Sequence, residues 1–154
     1  MRWKDVGENY CSVARTLSVI GDPWTLLILR DVFLGIRRFD DFQSRLNVTR
    51  HLLSDRLKKL VQAGILRREP YQERPVRYEY RLTEKGHDLF PVLMALVQWG
   101  DRWMSGNEAP PLTLTHRPCG HVMTPIMVCP HCQTPVVARD TEAQPGPNLA
   151  NGRK

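Results

Sequence analysis

Apolar positions along this chain change their spacing several times, and each change marks an element. Between Cys11 and Ile20 they fall at helical spacing (Val13, Ala14, Leu17, Ile20), and Gly21 ends the run. Asp22-Pro23 restarts the chain, since Asp caps a helix and Pro is preorganised for the first helical position. Trp24–Leu34 is apolar nearly all round, the pattern of a central core helix, with Gly35 as its C′ residue. Phe39–Glu69 then reads as a short helix, a tight turn at Asn47-Val48, a longer helix over Thr49–Ala63 that stops at Gly64, and the start of a basic strand. Ile65–Tyr71 and Val76–Leu82 predict two strands around the polar tip Gln72-Glu73-Arg74-Pro75. Thr83 caps a long helix with Leu89, Val92, Leu93, Leu96, Trp99 and Trp103 along one face, and Pro91 inside it predicts a kink.

A short helix, a turn, a second helix and a hairpin in that order form a winged helix-turn-helix: mainly α with a small β-hairpin wing, an α+β class. The expected organisation is a DNA-binding and dimerisation domain over 1–104, a Pro- and Gly-bearing linker over 105–115, and a small Cys/His hairpin module over 116–137. The tail over 138–154 is poor in large apolar residues and is expected to be disordered. The opening MRWKDVGENY has no apolar core of a targeting segment, and the apolar run Leu89–Val97 falls far short of the roughly 18 residues a membrane span needs. A cytoplasmic protein without membrane contact is expected. In that setting four cysteines argue for metal or thiol chemistry rather than disulfides.

Charge sharpens this picture because it is concentrated. The 154 residues carry a formal net charge of +6. Between Arg37 and Arg81 twelve basic residues face six acids, so the whole excess sits in less than a third of the chain. A local basic stretch over a helix-turn-helix is the electrostatic footprint of a double-stranded DNA partner. Within Thr49–Ala63, Leu53, Leu57 and Leu60 share an inward face, while His51, Ser54, Asp55, Lys58 and Gln62 lie opposite. Thr49 as N-cap leaves backbone N–H groups available to a phosphate. Arg50 and His51 occupy the first turn, which commonly meets base edges; Ser54 and Asp55 offer shorter readout. Lys58 and Lys59 suit phosphates, and Arg74 and Arg77 in the wing suit backbone or minor-groove contact. The bland alternative, an amphipathic helix with a solvated charged face, accounts for the helix alone but not for the ordered set of cap, Gly stop and basic hairpin. No constellation of catalytic residues appears, and no enzyme activity is expected. A protein-interaction module that docks a transcription partner through the winged helix and the Cys/His hairpin is the alternative of a different class.

Several runs now come together: Cys11-Ser-Val-Ala-Arg-Thr-Leu, IGDPWTLLILRD, GIRRFDDFQ, LSDRLKKLVQAGIL, RYEYRLTEKG and FPVLMALVQWG. In this order, over about residues 9–104, the chain resembles the HxlR family of winged helix-turn-helix regulators, relatives of MarR. Gly21-Asp22-Pro23 departs slightly from the family's usual residues before the Trp. The resemblance implies a bacterial transcription factor, a homodimer through its terminal helices, on a pseudo-palindromic operator. It also implies that Cys11 stands where some members carry a sensor of oxidants or electrophiles. A buried structural cysteine is the alternative there. Operator, effector and regulated genes do not carry over.

The sequence HRPCGHVMTPIMVCPHC holds His116-x₂-Cys119 and Cys129-x₂-Cys132, two ligand pairs that each turn as a knuckle. Facing one another, they would give a tetrahedral Cys₃His structural zinc site. Gly120 suits the first turn, Gln133 lacks that help, and His121 and His131 compete as fourth ligand. Cys129-Pro-His-Cys132 also has the motif of disulfide oxidoreductases of the DsbA type. Those place it at the start of a helix with most of a thioredoxin fold following, whereas here only 22 residues follow, beginning QTPVV.

Overall fold

The computed structural model describes residues 3–8 and 10–146. It divides into two compact units, Met1–Leu93 and Met94–Lys154. In the first unit a 3-10 helix, Trp3–Glu8, precedes α1 (Ser12–Ile20), α2 (Pro23–Phe33), α3 (Phe39–Leu46) and α4 (Arg50–Gln62). Strands β1 (Leu66–Glu73) and β2 (Val76–Leu82), the one-turn helix α5 (Glu84–His87) and the start of α6 (Phe90–Trp103) complete it.

The helix boundaries follow from side-chain chemistry. Asp22 caps α2 by accepting from the Thr25 N–H at 3.1 Å, and Thr49 caps α4 by accepting from the Leu52 N–H at 3.3 Å. Both helices end in the same motif. Gly35 (φ 91°) donates to Val32 O while Ile36 donates to Asp31 O, and Gly64 (φ 69°) donates to Val61 O while Ile65 donates to Leu60 O. These are Schellman closures, which need a left-handed residue that glycine adopts without a Cβ penalty. Ile65 and Leu60, bridged by the second one, are both buried. The turn between α3 and α4 is made by Asn47 in left-handed conformation.

Ile28, Leu29 and Val32 of α2 lie in the core with Phe42 and Leu46 of α3, Leu53, Leu57 and Leu60 of α4, and Leu66 and Leu82 at the base of the hairpin. Phe42, Leu29, Leu53 and Leu57 are wholly buried. This is the apolar stripe that the leucine spacing of α4 predicts.

β1 and β2 pair antiparallel from Leu66↔Leu82 to Glu73↔Val76, with an irregularity between Pro70 and Gln72. They run closer to the tip than the alternation suggests, leaving Arg74-Pro75 as the turn. The sequence pattern missed a third contributor. The Tyr80 N–H donates to Arg37 O at 2.8 Å, and Arg38 bridges Glu79, so the segment before α3 lies against β2. Two residues are too short a run for periodicity to register.

One expectation is corrected. The helix after Thr83 is not a single kinked rod but two helices, with Pro91 in the first turn of α6. Proline lacks the N–H for an interior bond and clashes with the carbonyl four residues back, so a helix ends before it, and the next begins where proline fits. Thr83 caps α5 by accepting from the Gly86 N–H at 3.1 Å, and its hydroxyl lies 2.6 Å from Gly64 O. The Gly86 Cα sits so near the chain that an added Cβ would lie 2.3 Å from Ile65 O. α5 thus staples the junction between α4 and the hairpin.

The second unit holds the rest of α6, the hairpin β3 (Leu114–His116) with β4 (His121–Met123), a bridge Val128↔Pro135 and a 3-10 turn Ala138–Asp140. None of its described residues is buried. Of the tail expected to be disordered, residues 147–154 lie outside the described residues.

Candidate nucleic-acid interface

α4 presents Arg50, His51, Ser54, Lys58 and Lys59 to solvent, with Asp55 half-buried. What holds this helix is a pair that spacing along the chain does not reveal. Arg56 grips Asp22 through Nε at 2.8 Å and Nη2 at 3.0 Å, joining the middle of α4 to the first turn of α2. The two parallel bonds fix orientation as well as distance. They also hold the Asp22 carboxyl below its ordinary range, the Arg56 hydrogen bond being the main cause, with the Thr25 and Trp24 backbone adding to it against some desolvation. Asp22 was legible as a cap; its partner 34 residues away was not. A second tie is Asp31, wholly buried on α2, which accepts from Arg30 Nε at 2.9 Å and Arg45 Nε at 3.3 Å and so joins α2 to α3.

The nine residues expected to contact DNA fall into distinct sets. Thr49 is the cap. Arg50 is tethered: its Nη1 lies 3.1 Å from Asp40 Oδ1 and 2.9 Å from Gln43 Oε1, and its guanidinium stands 4.7 Å from the Phe39 ring centre. Asp55 accepts from Lys59 at 3.0 Å and from Arg56, and these bonds, that of Lys59 first, hold its carboxyl below the ordinary value. Lys59 is therefore shared with Asp55. Among the described residues, no hydrogen bond or ion pair engages the side chains of His51, Ser54, Lys58, Arg74 or Arg77.

The wing repeats this division between root and tip. Near the root, Arg67 bonds Glu69 at 2.5 Å, and Arg81 reaches Glu69 at 3.0 Å and Glu79 at 2.6 Å, a ladder that offsets its own charge. Arg67 is also the main reason that the Glu69 carboxyl stays below its ordinary value. Beside this ladder, Arg38 stacks on Tyr71 at 4.4 Å and Arg68 on Tyr78 at 4.0 Å. An open cleft of about 380 Å³, lined by Arg38, Asp40, Arg50, Tyr71, Arg77 and Tyr78 among others, separates the start of α3 and α4 from the wing. Arg38 and Arg68 were counted as basic residues by sequence reasoning but not singled out. Only the folded hairpin puts each over a tyrosine, where the ring supports a cation.

Cys11 is the exposed residue just before α1, in extended conformation and without a side-chain cap bond. In the second unit the knuckle residues lie in two closed turns, 116–120 and 129–133. His116 Nδ1 lies 3.2 Å from Cys119 Sγ. Cys132 Sγ lies 3.0 Å from Thr134 Oγ1, and the Thr134 hydroxyl foremost, with Cys129 adding to it, holds this thiol below its ordinary value. Among the described residues no three His, Cys, Asp or Glu side chains are grouped to hold a metal ion. The His116–Cys119 separation is close to the roughly 3.5 Å between an N ligand at about 2.0 Å and an S ligand at about 2.3 Å on a tetrahedron.

A helix-turn-helix with a basic hairpin behind its second helix defines a winged-helix transcriptional regulator, and comparison with known proteins gives the family. Residues 19–108 match the HxlR-like helix-turn-helix family, and the chain belongs to it. The HTH-type transcriptional regulator Mb3122 of Mycobacterium bovis is 46% identical over 138 residues, covering 90% of this chain and 87% of that protein. The crystal structure of PA1607, described as a candidate transcription factor, superposes with a TM-score of 0.79 at 37% identity, covering 90% of this chain and 96% of that one. The oxidised form of the redox regulator HypR superposes with a TM-score of 0.56 at 34% identity, covering 60% of this chain and 96% of that one. Matches over 90% of the chain leave too few residues over to omit the 116–137 module altogether, whereas the HypR match leaves room to omit it. The chain is thus a transcriptional regulator of the HxlR type, from a family of regulators and not of enzymes. No helix among the described residues is long and apolar enough to cross a membrane.

Proposed function

We propose that this regulator acts in the cytoplasm as a homodimer that binds a pseudo-palindromic DNA operator, with α4 in the major groove and the wing tip on the flanking backbone. The observation that carries this reading is the division of polar side chains described above. His51, Ser54, Lys58, Arg74 and Arg77 have no partner within the described protein, while Asp55, Lys59, Arg67 and Arg81 are internally neutralised. His51 and Ser54 meet base edges; Lys58, Arg74 and Arg77 meet phosphates. Arg50 exchanges Asp40 and Gln43 for DNA on binding, and Thr49 leaves the α4 N-terminus open to a phosphate. Dimerisation is supported by exposed Val92, Leu96, Trp99 and Trp103, which fall on one stripe of α6, and by exposed Val13 and Leu17 on α1. The test is to select bound fragments from genomic DNA, footprint them, and follow affinity against salt. A protected site with two-fold symmetry and a steep salt dependence is expected; equal, salt-insensitive binding to all DNA would overturn the reading.

Cys11 is the candidate sensor in this scheme, exposed on a chain that is similar to HypR. Mild peroxide or quinone is expected to modify Cys11 and release the operator, and a Cys11→Ser variant to stay bound. Mass spectrometry showing unmodified Cys11 in released protein would exclude it. The Cys/His module over 116–137 completes the proposal as a zinc-ribbon-like extension.

A further inference from the structure

We infer that the module spanning 114–137 is a fold conditional on a single zinc ion, held by His116 Nδ1 and the sulfurs of Cys119, Cys129 and Cys132. This rests on reading the extension as zinc-ribbon-like, and adds its ligand set and the metal's role in place of a core.

The first support is backbone geometry that the spacing alone does not contain. In the first knuckle, Gly120 has φ 74° and donates its N–H to His116 O at 2.8 Å. In the second, Gln133 has φ 58° and donates its N–H to Cys129 O at 2.9 Å. The residue after the second ligand of each pair therefore has the same left-handed conformation and closes the same bond to the first ligand. For Gln133 that conformation is unfavourable by the usual Cβ clash, yet it is adopted. Sequence reasoning took Gln133 as a weakness of the site; the backbone treats it like the glycine. In the first turn the side chains of the pair meet, with His116 Nδ1 3.2 Å from Cys119 Sγ.

The second support is energetic. Not one described residue from Met94 to Gly146 is buried, and Val122, Ile126 and Met127 are each more than two-thirds exposed. Two short hairpins without a core do not offset the entropy of ordering their chains. Small modules of this kind gain stability from a metal or from disulfides. A zinc ion binding three thiols displaces their protons and takes a lone pair from neutral imidazole, so binding energy becomes folding energy. The two knuckles stand as separate pairs; uniting them on one ion is the step the metal drives.

The rivals for the fourth position are His121, paired with His116 across β3 and β4, and His131 inside the second knuckle. His121 lies outside either closed turn. His131 lies between two ligands of the same turn, where a third donor would have no room for its own chelate ring.

The experiment uses the full chain, stripped of metal and titrated with zinc chloride, then separately with cobalt chloride. Expected are one zinc per chain, a tetrahedral thiolate spectrum with cobalt, and slowed hydrogen exchange across 114–137 with none across 39–82. The 39–82 segment also reports whether each variant folds. Cys129→Ser, Cys132→Ser, Cys119→Ser and His116→Ala each lose stoichiometric binding, while His121→Ala and His131→Ala keep it. Loss in His121→Ala or His131→Ala with retention in His116→Ala overturns the ligand set but leaves the ribbon reading intact. Stoichiometric zinc with unchanged exchange at 114–137 overturns the conditional fold alone. No zinc and no cobalt spectrum overturn both.

Discussion

The two units of this chain are stabilised by opposite means. From Val6 to Leu93 the structure is organised around buried leucines and isoleucines, and its polar ties (Asp22 with Arg56, Asp31 with Arg45) run between elements packed on that core. From Met94 onward the described residues bury nothing, and order comes from the rest of α6, turns, short ladders and a few side-chain bonds such as that of Gln98 to Pro125 O. The difference teaches where rigidity is needed. In its proposed role of reading base edges, α4 would have to be held within a fraction of an ångström, which close packing provides. On the zinc-ribbon proposal, the second unit would need only a few fixed ligands.

The comparison breaks if the two units respond alike to losing an apolar side chain. Leu57→Ala, deep in α4, is expected to cost about 2–5 kcal/mol in chemical denaturation, because it opens a cavity at a wholly buried site. A loss under about 1 kcal/mol would mean that the helix is not anchored as the packing requires. His51→Ala should reduce discrimination between operator and random DNA by about 1–3 kcal/mol. Lys58→Ala should weaken both alike and lower the salt slope by about 1, read by fluorescence anisotropy at several salt concentrations. Equal effects of the two changes would dissolve the assignment of one to bases and the other to phosphate.

Asp22→Ala removes a cap and a bidentate partner at once and should cost about 1–2 kcal/mol. The Asp22 carboxyl is shifted downward in the folded protein, mainly by Arg56, so the unfolded chain takes up the proton first. The resulting stability is full above the ordinary aspartate value of about 3.8 and is lost as pH falls through the lower folded value. Acid denaturation curves for wild type and Asp22→Asn should therefore converge at low pH; a gap that widens on acidification would contradict this. The smallest effect expected is that of Val122→Ala, exposed on β4, within about 0.5 kcal/mol.

The winged helix was legible because burial leaves a periodic trace. Leu53, Leu57 and Leu60 marked the inner face of α4, Thr49 and Gly64 marked its ends, and the structure keeps all of them. Where no period exists, the reading was partial. Pro91 was seen as a kink and proved a boundary, because one proline does not say which side of it the helix continues. The exposed face of α4 was legible as a set of residues but not as a set of states: nothing local distinguishes Lys58, without a partner, from Lys59, paired one turn away from Asp55.

By itself the sequence determined the helix-turn-helix, the hairpin and the caps, since each depends on residues within a turn or two of one another. Tertiary structure alone decided that Arg56 locks α4 to Asp22, that Arg50 is held by Asp40 and Gln43, and that residues 37–38 lie against the wing. It also decided that Gln133 adopts the conformation of Gly120. These depend on which distant segments the buried core brings within bonding distance, or on a backbone closure that residue type does not announce, and no spacing along the chain encodes either.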